Sequence, residues 1–267
     1  MMHVVLPTDF SNNSYNALFY AAHLFKRQKC TFHVVHCCNG EDNAAYNQSM
    51  EGLRAIVHRL VLDTGKNTFH EIKTVALKSE LVKGIAEYLS QIQPDIMVIG
   101  NKGKDEVKDV LFGNNAMQLV REVTQCPILV VPLEIDFKKV KKMAFISNYS
   151  QPISAANVKA LREMVALTNA QLVPMTIEDG TENKAILDRK EAFLEQFSLS
   201  VSNEVILPVF EDKAGTIIEF VNHWSIDMLC MIYYPHHFFL EFIGKGIIKE
   251  LNEKLTVPFL ILPQGLN

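Results

Sequence analysis

No Cys-x-x-Cys pair, no Gly-Lys-Ser/Thr phosphate loop, no Gly-x-Ser-x-Gly elbow and no His-Glu-x-x-His helix occurs in this 267-residue sequence. Those absences exclude the common zinc-ribbon, P-loop, serine-hydrolase and zincin chemistries. Basic residues are not in excess: 26 Lys and Arg face 30 Asp and Glu, for a formal charge of -4. Both signs are interspersed, so the footprint of a nucleic-acid or anionic-membrane partner is missing. No run reaches the roughly 18 apolar residues that span a bilayer. The segment from Met1 to Pro7 runs directly into a strand-like stretch without the basic and long apolar parts of a signal peptide. Five cysteines, an odd number, stand without metal-like spacing at positions 30, 37, 38, 126 and 230. A cytoplasmic location is the expectation.

What is present is an alternation of apolar strand-like runs with stretches of helical period. Strands are expected at 3–8, 31–38, 70–77, 95–99 and 127–131, helices at 14–25, 50–62, 81–92 and 115–123, and a polar loop at 39–48. After a charged stretch at 134–142 the pattern restarts, with strands at 143–147, 171–175, 201–208, 227–233 and 259–262. Pro127-Ile128-Leu129-Val130-Val131-Pro132 falls on Pro258-Phe259-Leu260-Ile261-Leu262-Pro263, and Phe112-Gly113 falls on Ile243-Gly244 at the same offset. At the front, Thr8-Asp9-Phe10-Ser11 falls on Ser147-Asn148-Tyr149-Ser150. The expected fold class is therefore α/β: two tandem doubly wound open parallel sheets of five strands each, in domains 1–134 and 141–267. The short, wholly apolar final strands suit burial on both faces and are available to pair across the copies.

Ligands of open α/β sheets bind beyond the carboxyl ends of the strands, where strand order reverses. In the first copy the fourth strand leads into Gly100-Asn101-Lys102-Gly103, followed by nine residues and then Gly113-Asn114-Asn115 at a helix start. Glycines there permit a sharp turn and close backbone approach, and free N–H groups at a helix start favour anionic oxygens.

This spacing, with Pro7-Thr8-Asp9-Phe10-Ser11, Phe32-His33-Val34, Asp95-Ile96-Met97-Val98-Ile99-Gly100 and Cys126-Pro127-Ile128-Leu129-Val130-Val131-Pro132, resembles the ATP-binding members of the universal stress protein family over nearly the whole first copy. The resemblance implies the family's fold, related to adenine-nucleotide α-hydrolase-like folds, and ATP, with or without Mg, as ligand. It implies that Asp9, next to Thr8, bonds the adenine or ribose edge, that Val34 lines the adenine slot, and that Ile99, Gly100, Lys102, Gly103, Gly113, Asn114 and Asn115 hold ribose and phosphates. Two hydroxyl residues of the family pattern are replaced, by Asn114 and Ala116. The family forms dimers through its final strand, so an internal pseudo-dimer and a further homodimer are both expected.

Each of these residues also has a plain structural reading. The glycines serve as turn formers, and Asp9 before a helix serves as an N-cap. His33 and His36 lie three apart on a strand and so point to opposite faces, which disfavours a shared metal. Cys126 reads as a small buried apolar residue. In the second copy the glycine loop is replaced by Tyr233-Tyr234-Pro235-His236-His237-Phe238-Phe239 and Asp9 by Asn148, while Gly244-Lys245-Gly246 remains. A degenerate second site is expected. The leading functional expectation is a nucleotide-responsive stress protein with ATP in its N-terminal domain and an unidentified protein partner; a nucleotide-free scaffold and a slow ATP hydrolase are the alternatives.

Overall fold

The computed structural model describes residues 1–38, 43–101, 114–133, 135–178, 183–197, 201–208, 213–234 and 256–266. The chain divides into two compact units, Met1–Phe137 and Lys138–Asn267.

The first unit runs β1 (Met2–Pro7), α1 (Asn12–Leu24), β2 (Cys30–Cys38), α2 (Asn43–Thr64), β3 (His70–Lys78), α3 (Leu81–Ile92), β4 (Ile96–Gly100), α4 (Asn114–Glu122) and β5 (Ile128–Val131). All pairings are parallel, in the order β3-β2-β1-β4-β5. Helices α1 and α2 pack together, as do α3 and α4. Within β2, His36 reaches Ser49 of α2 while His33 reaches Tyr88 of α3, so the two helix pairs cover opposite faces of the sheet. Coverage on both sides is why β1, β4 and β5 read as continuous apolar runs, whereas the edge strand β3 has a half-exposed pattern. Val4, Val5, Leu6, Phe32, Val34, Met97, Val98 and Leu129 form the sheet's inner core.

The second unit runs β6 (Lys142–Ile146), α5 (Ala155–Thr168), β7 (Gln171–Glu178), α6 (Lys184–Glu195), β8 (Val205–Pro208), α7 (Lys213–His223), β9 (Met228–Tyr233) and β10 (Phe259–Pro263). Its parallel order, β8-β7-β6-β9-β10, is the order of the first unit strand for strand. An aromatic stack of Phe145 on Phe193, centroids 4.6 Å apart, anchors α6 to the sheet, and Tyr149 packs against both rings.

Three element expectations are corrected. Helix α2 begins at Asn43, inside the expected loop 39–48, because its first turns are largely exposed and carry no apolar stripe to read. Strand β8 starts at Val205 rather than 201; Val201 makes an isolated bridge to Leu172. The cap of α1 is Ser11, whose hydroxyl accepts from the Ser14 N–H at 3.1 Å, and not Asp9.

Two predictions follow from the packing of the first unit. A Cβ at Gly100 would lie 2.7 Å from Asn13 Nδ2 and 2.9 Å from the Asn13 carbonyl oxygen, so α1 sits too close to β4 for any side chain there. Gly100→Ala is expected to cost about 1–3 kcal/mol by overpacking, read as a lower urea midpoint at unchanged slope.

The second concerns His33, 3% exposed and hydrogen-bonded to Tyr88 Oη at 2.6 Å and to His3 Nδ1 at 2.9 Å. Burial, with His3 and Lys73 nearby, pushes it down to about 4 from the ordinary imidazole value of 6.5. The unfolded chain therefore binds the extra proton between those values. The contribution to stability is complete above about pH 6.5 and is lost as pH falls toward 4. Urea midpoints measured across that window should fall more steeply for the wild type than for His33→Gln.

Candidate functional site

Strand order reverses between β1 and β4, and a cavity of about 470 Å³ opens there beyond the carboxyl ends of β1, β2 and β4. Pro7, Thr8 and Asp9 form one wall with Ser14 of α1. His36 and Cys37 close β2, and Glu80, Leu81 and Val82 bring in the start of α3. Ile99 and Gly100 end β4, and Asn115, Ala116, Gln118 and Leu119 present the first turns of α4.

The turn after β1 is built by its own side chains. Thr8 Oγ1 accepts from the Phe10 N–H at 3.1 Å, and Asp9 Oδ1 accepts from the Ser11 N–H at 3.1 Å and the Ser11 hydroxyl at 2.6 Å. Thr8 and Ser14 hydroxyls are 3.0 Å apart. This wrapping drives Phe10 into the left-handed region, φ 63°. The second unit repeats the device. Ser147 Oγ accepts from Tyr149 N–H at 3.0 Å, Asn148 Oδ1 accepts from Ser150 N–H at 3.1 Å, and Tyr149 has φ 54°. An amide thus closes the turn as well as a carboxylate does, because both offer an oxygen at the same place.

Five of the ten residues singled out from the sequence, Thr8, Asp9, Ile99, Gly100 and Asn115, meet around the cavity. Val34 does not line it. It is fully buried in β2 between its neighbours Leu6 and Thr74, four residues before the strand end at Cys38. His36, two residues on and on the same face, takes that wall; the period-2 rule applied from Val34 toward the carboxyl end would have found it. Lys102, Gly103 and Gly113 lie outside the described residues, as does the side chain of Asn114, whose backbone opens α4. Gly100 has a packing reason of its own, since Asn13 occupies the space of its missing Cβ and donates to Asn101 Oδ1 at 3.2 Å in a buried pair.

The ring of His36 stacks on Phe10, centroids 4.3 Å apart at 25°, and its Nδ1 is 2.7 Å from Ser49 Oγ. Phe10 in turn lies against Gly52, where a Cβ would stand 2.7 Å from the ring. Burial lowers the His36 pKa while the Asp9 charge opposes that, and the net shift favours the neutral ring. Burial likewise pushes the Cys37 thiol up to about 11, which keeps it protonated and a poor nucleophile. Among the described residues the lining carries the carboxyl groups of Asp9 and Glu80 and no Lys or Arg. No cluster of three His, Cys, Asp or Glu among those residues could hold a metal ion. No described helix is long and apolar enough to cross a membrane.

A model of the universal stress protein family matches residues 1–132, the segment that builds this sheet and cavity. Residues 1–132 form a universal stress protein domain. None of the curated proteins matches it in sequence. Solved structures of similar fold include a universal stress protein from Archaeoglobus fulgidus DSM 4304, 14% identical, with 98% of this chain and 96% of that chain covered and a TM-score of 0.69. A putative universal stress protein from Pseudomonas aeruginosa UCBPP-PA14 is 10% identical, with 99% and 94% covered and a TM-score of 0.63. The cytoplasmic domain of a prokaryotic cation chloride cotransporter is also 10% identical, with 100% and 97% covered and a TM-score of 0.55. At these identities the likeness concerns fold alone, and a fold shared with part of a transporter does not choose a function for this chain.

In the second unit Tyr149, Tyr233 and Tyr234 are buried. Residues 235–255, which include Pro235 to Phe239 and Gly244-Lys245-Gly246, lie outside the described residues.

The repeated turn makes a direct prediction about Asp9. Asp9→Asn should leave folding stability within about 0.5 kcal/mol of the wild type, whereas Asp9→Ala, which removes the acceptor, should cost about 1 kcal/mol. Urea unfolding of both variants checks this; equal losses would mean that the charge, not the turn bond, stabilises the loop.

Proposed function

We propose that the N-terminal unit binds an adenine nucleotide, ATP, in the cavity between β1 and β4, and that the bound state is read by a protein partner as part of a cytoplasmic stress response. The observation that carries this reading is the position of the cavity: it opens at the strand-order reversal of a universal stress protein domain, on the Thr8-Asp9 turn and the first turns of α4. Its volume is in the range of small-molecule sites.

The described wall suits the nucleoside. It offers acceptors at Asp9, hydroxyls at Thr8 and Ser14, and the apolar faces of Leu81, Val82, Ile99 and Leu119. Among the described residues the lining holds two carboxyl groups and no Lys or Arg, which would repel phosphates, so we assign the phosphates to the N–H donors that open α4, with Gly103, Gly113 and Lys102, which lie outside the described residues, as further expected contacts. Mg would arrive as the nucleotide's own counter-ion, since no described cluster forms a resident metal site. Contact of bound phosphate with the segment between Gly100 and Gly113 would alter the surface a partner meets. We read the second unit as a diverged copy without nucleotide: Asn148 replaces Asp9 and the glycine spacing is lost.

A nucleotide-free scaffold is the second reading. It is favoured by the finding that Asp9 and Gly100 both have roles that need no ligand, one in a turn that Asn148 reproduces and one in packing against Asn13. Hydrolysis, the third, would register as phosphate release that Asp9→Asn abolishes.

Calorimetric titration of the full chain with ATP separates these. Saturable binding is expected, with Asn115→Trp, which fills the cavity mouth from an exposed position, weakening it at least about tenfold at an unchanged unfolding midpoint. ATP should also slow proteolytic cleavage between Gly100 and Gly113. No binding at millimolar ATP favours the scaffold.

A further inference from the structure

His36 is held more firmly than a wall residue needs to be. Phe10 supports one face of its ring and is itself backed by Gly52, and Ser49 of α2 meets Nδ1 at 2.7 Å. Ser49 is 2% exposed, and among the described residues its hydroxyl has His36 as its hydrogen-bond partner. A buried hydroxyl proton without an acceptor loses its hydration and gains nothing. The Ser49 hydroxyl therefore donates to Nδ1. An imidazole whose Nδ1 accepts must carry its proton on the other nitrogen when neutral. Nε2, which bonds to no described side chain or backbone group, is then the N–H donor of a residue that lines the cavity.

We propose that His36 is the side chain that recognises the nucleoside, donating Nε2–H to an acceptor atom of the base or ribose, and that Ser49 is a positioning residue that fixes the donor tautomer. The assignment rests on the nucleotide reading of this cavity and adds a donor to a wall otherwise rich in acceptors. Asp9 and Glu80 accept; His36 gives. The same two carboxyl groups disfavour a phosphate oxygen as the partner of Nε2, so the acceptor is assigned to the nucleoside. A ring pinned between Phe10 and Ser49 loses little freedom on binding, which makes its hydrogen bond selective for geometry.

Nitrogen-15 NMR of the full-length wild type tests this without relying on a variant. At pH 7.5 the His36 ring should show a pyrrole-like Nε2 and a pyridine-like Nδ1, and ATP and adenosine should both shift Nε2. His36→Ala should weaken ATP about tenfold. Ser49→Ala should mix the tautomers and weaken ATP about threefold, and Ser49→Thr should restore both the tautomer and the affinity. An Nδ1–H tautomer in the wild type overturns the assignment. So does ATP binding that leaves the His36 signals unmoved and is insensitive to His36→Ala. A shift produced by inorganic tripolyphosphate and not by adenosine overturns the nucleoside as the partner. ATP that does not bind the wild type at all overturns this assignment together with the nucleotide reading, and is told apart by the titration itself.

Discussion

The reversal of strand order between β1 and β4 is the constraint on which the rest of the N-terminal unit depends. Parallel strands require crossovers of one hand, so the helices that follow β1 and those that flank β4 end on opposite faces of the sheet. Here α1 and α2 cover one face and α3 and α4 the other, and the ends of β1 and β4 are left uncovered between them. The cavity is a consequence of topology before it is a consequence of any side chain. What side chains decide is whether the crevice is lined to hold something, and in this unit the turn after β1, the end of β2 and the start of α4 all contribute to the lining.

The two units show how a single device survives while its chemistry drifts. The left-handed residue, the hydroxyl acceptor before the turn and the oxygen that accepts from the fourth residue recur in both. At the same place, Phe10 is half-buried against an imidazole, and Tyr149 is buried among phenylalanines. The turn is thus demanded by the fold, because it carries the chain from the first strand into the first helix. The carboxylate of Asp9 is not demanded by it. That separation makes the charge of Asp9, rather than its hydrogen bond to Ser11, the part of the motif with something to say about a ligand.

Legibility in the sequence followed burial. Strands covered on both faces, such as β4 and β5, announced themselves as apolar runs, and α3 and its face of Ile85 and Leu89 were equally plain. The start of α2 was not legible, because an exposed helical end has no apolar period to display. Of the cavity lining, the carboxyl-end rule points to Asp9 after β1 and Gly100 closing β4, and both line the cavity. His36 was not legible as a lining residue, since in a string it reads beside Cys37 and Cys38 as a strand histidine, and its partner Ser49 stands thirteen positions away on a helix whose register the sequence did not reveal. Asn13 is similar: nothing in the sequence says that it fills the space over Gly100.

The central claim is that one crevice of the chain, the N-terminal one, is built for an adenine nucleotide. Equilibrium dialysis of the full-length protein against radiolabelled ATP counts the sites directly. The account predicts one ATP per chain at saturation; zero would leave the cavity without its ligand, and two would show that the second unit, despite Asn148 and its lost glycines, binds as the first does.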